Sequence, residues 1–303
     1  MSVMMEDLYP SRVGDRPRLL ERADPVVYRR GAWPGPLTPA QLDFYEENGF
    51  VVIESLFQPE EIARLNTELR DLVGSPNVHR LAETITEPGS REIRSIFRIH
   101  KLSPLYSRLA RDERLLGAAR QILGSEVYMH QSRVNLKPGF SGKDFYWHSD
   151  FETWHMEDGM PRMRALSVSL ALTDNYPFNG PLMLIPGSHR TYVACVGETP
   201  ADHYKESLKK QECGVPDEES LAQLADRGGI AAPTGPAGTA VLFDCNTMHG
   251  SNSNISPYPR SNVFFVYNSV ENRLQDPFCG LAPRPEHIAS REHVEPVESL
   301  SGR

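Results

Sequence analysis

The pair His148-Ser149-Asp150, answered far downstream by the isolated His249 of Asp244-Cys245-Asn246-Thr247-Met248-His249-Gly250-Ser251, restricts what this chain can fold into more than any other feature. Two imidazoles and one carboxylate, with the first two donors one residue apart, form the donor set of a 2-His-1-carboxylate facial triad. Such a set holds Fe(II) on one face and leaves the opposite positions open. In a β-strand residues i and i+2 project to the same side, so His148 and Asp150 reach one metal from a strand while Ser149 turns away. His249 must then arrive from a distant strand end, because 249 − 150 = 99 positions separate it from Asp150 and other strands fill the gap. A site closed across that gap ties two parts of a sheet together.

Alone, a His-x-Asp dipeptide is more often a surface feature, and three further stretches change its meaning. Arg260 lies 260 − 249 = 11 positions past His249, at the head of Ser261-Asn262-Val263-Phe264-Phe265-Val266-Tyr267. Its planar guanidinium fork matches a carboxylate, the group at the far end of 2-oxoglutarate. In Val127-Tyr128-Met129-His130-Gln131-Ser132-Arg133-Val134-Asn135-Leu136-Lys137, alternation puts Gln131, Arg133, Asn135 and Lys137 on one face and Val134 and Leu136 on the other. A polar face of that kind normally meets solvent. A double sheet or small barrel enclosing a polar ligand turns it inward, and a metal triad demands such an interior. The third stretch, Gly180-Pro181-Leu182-Met183-Leu184-Ile185-Pro186-Gly187-Ser188-His189, reads as an apolar strand stopped by a Pro-Gly turn. The expected chemistry is that of a non-haem iron oxygenase.

Taken together, the His-x-Asp pair, the strand ending in Pro-Gly-Ser-His and the later His-Gly-Ser followed by Arg resemble the phytanoyl-CoA dioxygenase superfamily of Fe(II)/2-oxoglutarate enzymes. Within it, the run beginning Phe145-Tyr146-Trp147-His148-Ser149-Asp150-Phe151-Glu152-Thr153-Trp154-His155 and ending at Ser167 is similar to the signature of bacterial ectoine hydroxylases. The likeness extends over about residues 37–284, with no departure at the metal positions. It implies Fe(II) on His148, Asp150 and His249, and 2-oxoglutarate bound through its C1 carboxylate and keto oxygen. The remote carboxylate of 2-oxoglutarate falls to Arg260, helped by Ser251, Asn135 and Lys137. O2 is consumed, succinate and CO2 leave, and ectoine becomes 5-hydroxyectoine, an osmolyte of the stress response. Ectoine is a small cyclic zwitterion with an amidinium and a carboxylate. For it, Trp154 and Trp147 offer aromatic faces to the cation, Gln131, Thr153 and Arg284 hold the carboxylate and ring polar groups, and Phe264 and Tyr267 add aromatic walls. Ala165, Ser167 and Ser169 are small enough to border a compact ligand. Other readings stand beside this one: a superfamily hydroxylase acting on another cyclic amino acid such as proline, one acting on an acyl thioester, or a jelly-roll binding protein without turnover.

The expected architecture is mainly β with flanking helices, a double-stranded β-helix (jelly roll, cupin-like) in a single domain of 303 residues. An N-terminal helical buttress covers about 38–124, the jelly-roll core about 125–284 and a charged insert, expected to be a lid, about 192–233. Thr38-Pro39-Ala40-Gln41 reads as a capping box whose helix ends at Gly49, followed by a strand at Phe50-Val51-Val52-Ile53. A second helix follows Gln58-Pro59 with Ile62, Leu65, Leu69, Leu72 and Val73 at helical spacing, and a third runs from Glu113 to Leu123. Strands are expected over 126–137, 145–151, 164–173, 181–185, 239–244 and 261–268.

A net charge of −8 argues against a nucleic-acid partner. No apolar run among the first twenty residues signals export or membrane insertion, so the expected setting is the cytoplasm, without a membrane partner. Cys195, Cys213, Cys245 and Cys279 show no metal spacing and read as free thiols, Cys245 as a small buried filler. By symmetry base rates the assembly expected is a homodimer.

Overall fold

Reciprocal hydrogen bonds between Thr38 and Gln41 open the first helix, α1 (Pro39–Asn48), and Gly49 closes it in the left-handed conformation at φ 80°. The computed structural model describes residues 7–87, 92–208 and 213–300. Next come α2 (Pro59–Gly74), the short α3 (Ile99–Leu102) and α4 (Pro104–Leu109), and α5 (Glu113–Leu123), which stops at Gly124. Helices α1, α2 and α5 fall where their caps and apolar spacing place them.

The strands are β1 (Arg18–Glu21), β2 (Phe50–Ile53), β3 (Thr84–Thr86), β4 (Ile93–Phe97), β5 (Val127–Lys137), β6 (Phe145–His148), β7 (Ala165–Ala171), β8 (Leu182–Leu184), β9 (Thr191–Ala194), β10 (Ala240–Asp244), β11 (His249–Ser251) and β12 (Arg260–Ser269). Among the described residues, β2-β10-β7-β12-β5-β4-β3 form one large antiparallel sheet and β6-β11-β8 a smaller one, while β1 and β9 pair separately. This is the expected jelly roll. On the outer face of the large sheet Leu166, Val168 and Leu170 of β7 and Val263, Phe265 and Tyr267 of β12 share one apolar cluster with Leu65 and Leu69 of α2 and Leu115 and Ile122 of α5. Burying each such side chain stabilises the fold by about 1.5–3 kcal/mol. Hydrophobic contact with the helices therefore fixes the sheet from outside, which leaves its inner face free for polar groups.

The small sheet lies across that inner face. Lys137 Nζ of β5 donates to Ser251 Oγ of β11 at 2.8 Å, and the Phe243 ring of β10 meets His249 at 4.9 Å.

One expected strand is corrected. The segment 145–151 is extended only to His148, and α6 (Asp150–Asp158) begins two residues later. Asp150 and Glu152 in its first turn suit the positive end of a helix dipole, and the Phe151 N–H is taken by the Cys245 carbonyl at 2.8 Å. Gly159 ends α6 at φ 76°, where an added Cβ would sit 2.1 Å from the Gln275 carbonyl oxygen.

The insert contains β9, α7 (Tyr204–Ser207) and α8 (Glu218–Gly228). Lys209, Lys210 and Glu212 of its charge run lie outside the described residues, as do the first six residues of the chain. All four cysteines are free, and Cys245 is fully buried among Phe151, Trp154 and Met163. Among the described residues no helix is long and apolar enough to cross a membrane.

Candidate active site

Strand β6 ends on His148, helix α6 starts on Asp150, and β11 starts on His249 directly opposite His148 in register. Three local elements therefore deliver three donors to one point, their ligand atoms all within 4.8 Å of one another. His148 Nε2 lies 3.8 Å from Asp150 Oδ1, and His249 Nε2 lies 3.9 Å from Asp150 Oδ2. Each imidazole is oriented from behind: His148 Nδ1 is 2.6 Å from the Tyr146 carbonyl and His249 Nδ1 is 2.9 Å from that of Thr247. Only a protonated Nδ1 hydrogen-bonds there, so each Nε2 keeps its lone pair for a metal. Burial, reinforced by His249, pushes the His148 pKa down to about 4 and keeps that ring neutral. Ser167 Oγ donates to Asp150 Oδ2 at 3.2 Å. Two imidazoles, one carboxylate and an adjoining cavity fit Fe(II).

On the inner face next to this triad, Arg260 of β12 stands in register with Lys137 of β5. Arg260 is 3 % exposed, and its Nε and Nη1 are buried without a hydrogen-bond partner among the described residues. Burial pushes the Arg260 pKa down to about 10, and burial together with Arg260 and Arg94 pushes Lys137 to about 6. Arg94 itself is matched by Glu87. Orphaned donors on the buried Arg260, beside a second buried basic group, are costly unless an anion completes them. A carboxylate fits, which is the match expected for 2-oxoglutarate. Ser251 contacts Lys137, and Asn135 Oδ1 accepts from Ser95 Oγ at 2.9 Å on the same face.

Beyond the triad a cavity is lined by Gln131 and Arg133 of β5, by Thr153 and Trp154 of α6, and by Arg284. Arg284 is buried rather than on a surface loop, with its Nε and Nη2 held by Asp158 at 2.7 and 2.5 Å. Trp154 has an edge on the cavity and its body in the cluster with Tyr9, Phe151 and Met160. Phe264 faces inward beneath the Arg133 guanidinium, 4.9 Å away.

Two expectations fail. Tyr267 packs on the outer face and donates its hydroxyl to the Ala110 carbonyl, because residues 260, 262, 264 and 266 take the inner face. Trp147, neighbour to His148 on β6, points away and joins Ile185, Val193 and Met248. Ala165 packs in the Trp154 cluster, and Ser169 Oγ accepts from Asn262 Nδ2 at 3.0 Å. Arg133 takes the inward position on β5 that strand alternation gives it and lines the cavity, although nothing in the local sequence marks it as a substrate contact. Asp158 and Arg12, which position Arg284 and α6, had no local signal.

A family model described as phytanoyl-CoA dioxygenase matches residues 45–262. The ectoine dioxygenase of Bordetella bronchiseptica is 61% identical over 298 residues, covering 97% of each chain. EctD from S. alaskensis, in a crystal structure with 2-oxoglutarate and 5-hydroxyectoine, superposes with a TM-score of 0.88 at 51% identity, covering 97% of this chain and 98% of that one. The same protein with bound Fe gives 0.87 at 50% identity, with the same coverage.

Proposed function

The chain belongs to the phytanoyl-CoA dioxygenase family, and from that premise we propose that it hydroxylates ectoine to 5-hydroxyectoine, consuming O2 and 2-oxoglutarate and releasing succinate and CO2. The observation that carries the reading is the buried Arg260 beside Lys137, with two guanidinium nitrogens lacking partners among the described residues, next to a complete His-Asp-His donor set. A metal-binding jelly roll without turnover has no need of that cationic end.

Iron, when bound, supplies the oxidising chemistry that couples 2-oxoglutarate decarboxylation to hydroxylation. His148 Nε2, Asp150 and His249 Nε2 would hold it, and the Tyr146 and Thr247 carbonyls keep both rings in the tautomer that binds. Arg260, Lys137 and Ser251 would grip the far carboxylate of 2-oxoglutarate, with Asn135 beside them. Arg133 offers the substrate carboxylate a cation with no ion-pair partner among the described residues, Trp154 offers the amidinium an aromatic face, and Gln131, Thr153 and Arg284 border the ring. Phe264 braces Arg133 from below. His203 and Leu208 of the insert line the cavity, which supports the insert as a lid that excludes water. Unchanged proteolysis of residues 192–233 on adding ectoine and 2-oxoglutarate would remove the lid from this reading.

Succinate release with iron and 2-oxoglutarate, run against ectoine, proline and an acyl-CoA, tests the assignment. Ectoine should give the fastest release and a product heavier by one oxygen, and preference for either rival overturns it. A homodimer and a cytoplasmic setting belong to the same reading, to be checked by sedimentation and cell fractionation.

A further inference from the structure

Helix α6 turns four residues to the cavity at helical spacing: Asp150, Thr153, Trp154 and Glu157, positions i, i+3, i+4 and i+7. The fourth is not used by the reading above. Glu157 is 4 % exposed, and its Oε1 accepts from Arg12 Nη1 at 2.9 Å. The same guanidinium gives its Nε and Nη2 to Glu152 at 3.0 and 2.7 Å. One buried cation thus serves two buried carboxylates. The nearby Arg284 does not make up the difference, because Asp158 already cancels it. His203 shares the cavity, and burial lowers its pKa; His130, against Asp158, is held neutral the same way. Among Arg12, Arg284, Glu152, Glu157 and Asp158 the carboxylates therefore outnumber the guanidinium groups three to two, and Glu157 is the member that reaches the cavity. Arg133, on β5, places a cation on the same cavity.

We propose that Glu157 is the specificity-determining counter-ion for the cationic ring of the substrate, an inference that rests on the ectoine reading. The amidinium lies toward Glu157 over Trp154, and the substrate carboxylate lies toward Arg133. A cavity polarised in this way accepts a zwitterion in one orientation, so the same ring carbon meets the metal in every turnover. It also selects against neutral rings of the same size, since these leave the buried charge unmatched.

Glu157→Gln keeps the volume and an acceptor for Arg12 while removing the charge. In equilibrium binding without O2, ectoine should bind the variant at least about tenfold more weakly, the loss of one charge-assisted hydrogen bond. A neutral lactam analogue of the ring should bind both proteins alike, and iron content and 2-oxoglutarate affinity should not move. Unchanged ectoine binding, or equal weakening of ectoine and lactam, overturns the proposal. If the variant does not fold, the wild type decides: ectoine must bind at least about tenfold tighter than the lactam, and parity overturns the proposal. A wild type that releases no succinate with ectoine overturns the functional reading as well. Intact wild-type turnover beside an unaffected variant overturns this inference alone.

Discussion

At the 2-oxoglutarate end of the cavity the polar groups that matter rise from strands, whereas at the ectoine end β5 gives only Gln131 and Arg133 and the rest come from a helix, an insert, a C-terminal segment and an N-terminal strap. Arg260, Lys137, Asn135 and Ser251 stand on β12, β5 and β11. Trp154, Glu157, His203, Arg284 and Arg12 share no sheet. The charges differ as well. Among the described residues the strand-borne end keeps buried donors without partners, while in the other the cations carried by the distant segments, Arg12 and Arg284, are already taken by carboxylates. A site whose ligand must supply the counter-charge can be held by a rigid sheet, because nothing inside the protein competes for it. A site assembled from distant segments needs internal ion pairs to hold those segments together.

Removing a metal donor should have the largest effect and treat both ends alike. His249→Ala should abolish iron-dependent turnover and lower bound iron, since it takes away one of three protein ligands. Stoichiometric iron with retained turnover would place the metal elsewhere.

Removing one arginine from each end separates them. Arg12→Ala leaves Glu152 and Glu157 buried without their cation and should destabilise the ligand-free protein by about 3–5 kcal/mol in urea unfolding. Arg260→Ala deletes a buried cation that has no carboxylate partner among the described residues, so ligand-free stability should not fall. It should weaken 2-oxoglutarate by about 2–5 kcal/mol while sparing ectoine. Equal loss of stability in both variants would erase the distinction.

The same contrast explains what could be read from the chain. Alternation along β5 announced Gln131, Arg133, Asn135 and Lys137 as one inward face, because strand period is a local property. Applied strictly, that rule would also have excluded Tyr267 and Trp147, each of which neighbours an inward residue. The one-residue spacing of His148 and Asp150 fits a strand, yet a strand end followed by a first helical residue satisfies it equally. The change of element at Ser149 was therefore hidden. Arg12 lies 140 positions from Glu152, and Arg284 lies 126 from Asp158. No local pattern encodes such pairs, and only the folded chain reveals that α6 is held at both ends by them.

A smaller effect is expected at the strand-borne end. Burial, with Arg260 and Arg94, lowers the Lys137 pKa from 10.5 to about 6. Between those values the unfolded chain binds more protons than the folded one, so ligand-free stability rises with pH across that window. A carboxylate from 2-oxoglutarate restores the ammonium form, and binding near pH 8 should take up as much as about one proton. Calorimetry in buffers of different ionisation enthalpy measures the uptake, and Lys137→Met should remove it. Heats that do not depend on the buffer would mean that Lys137 is charged before the ligand arrives.

The smallest predicted effect lies at the ectoine end, where Trp154 serves both packing and recognition. Its body sits with Tyr9, Phe151, Met160 and Met163, its ring meets His130 edge-on at 5.1 Å, and an edge reaches the cavity. Any smaller residue therefore loses packing, and a change in stability alone says nothing about the substrate. Trp154→Phe and Trp154→Leu both give up apolar volume, but only the second gives up the π face. Ectoine should bind the Leu variant more weakly than the Phe variant by about 0.5–2 kcal/mol, with iron content and 2-oxoglutarate affinity equal in the two. Equal ectoine binding would reduce Trp154 to a core residue and leave Glu157 as the group that recognises the cation. A deficit in 2-oxoglutarate affinity would be more damaging, because it would show that the two ends are not built independently.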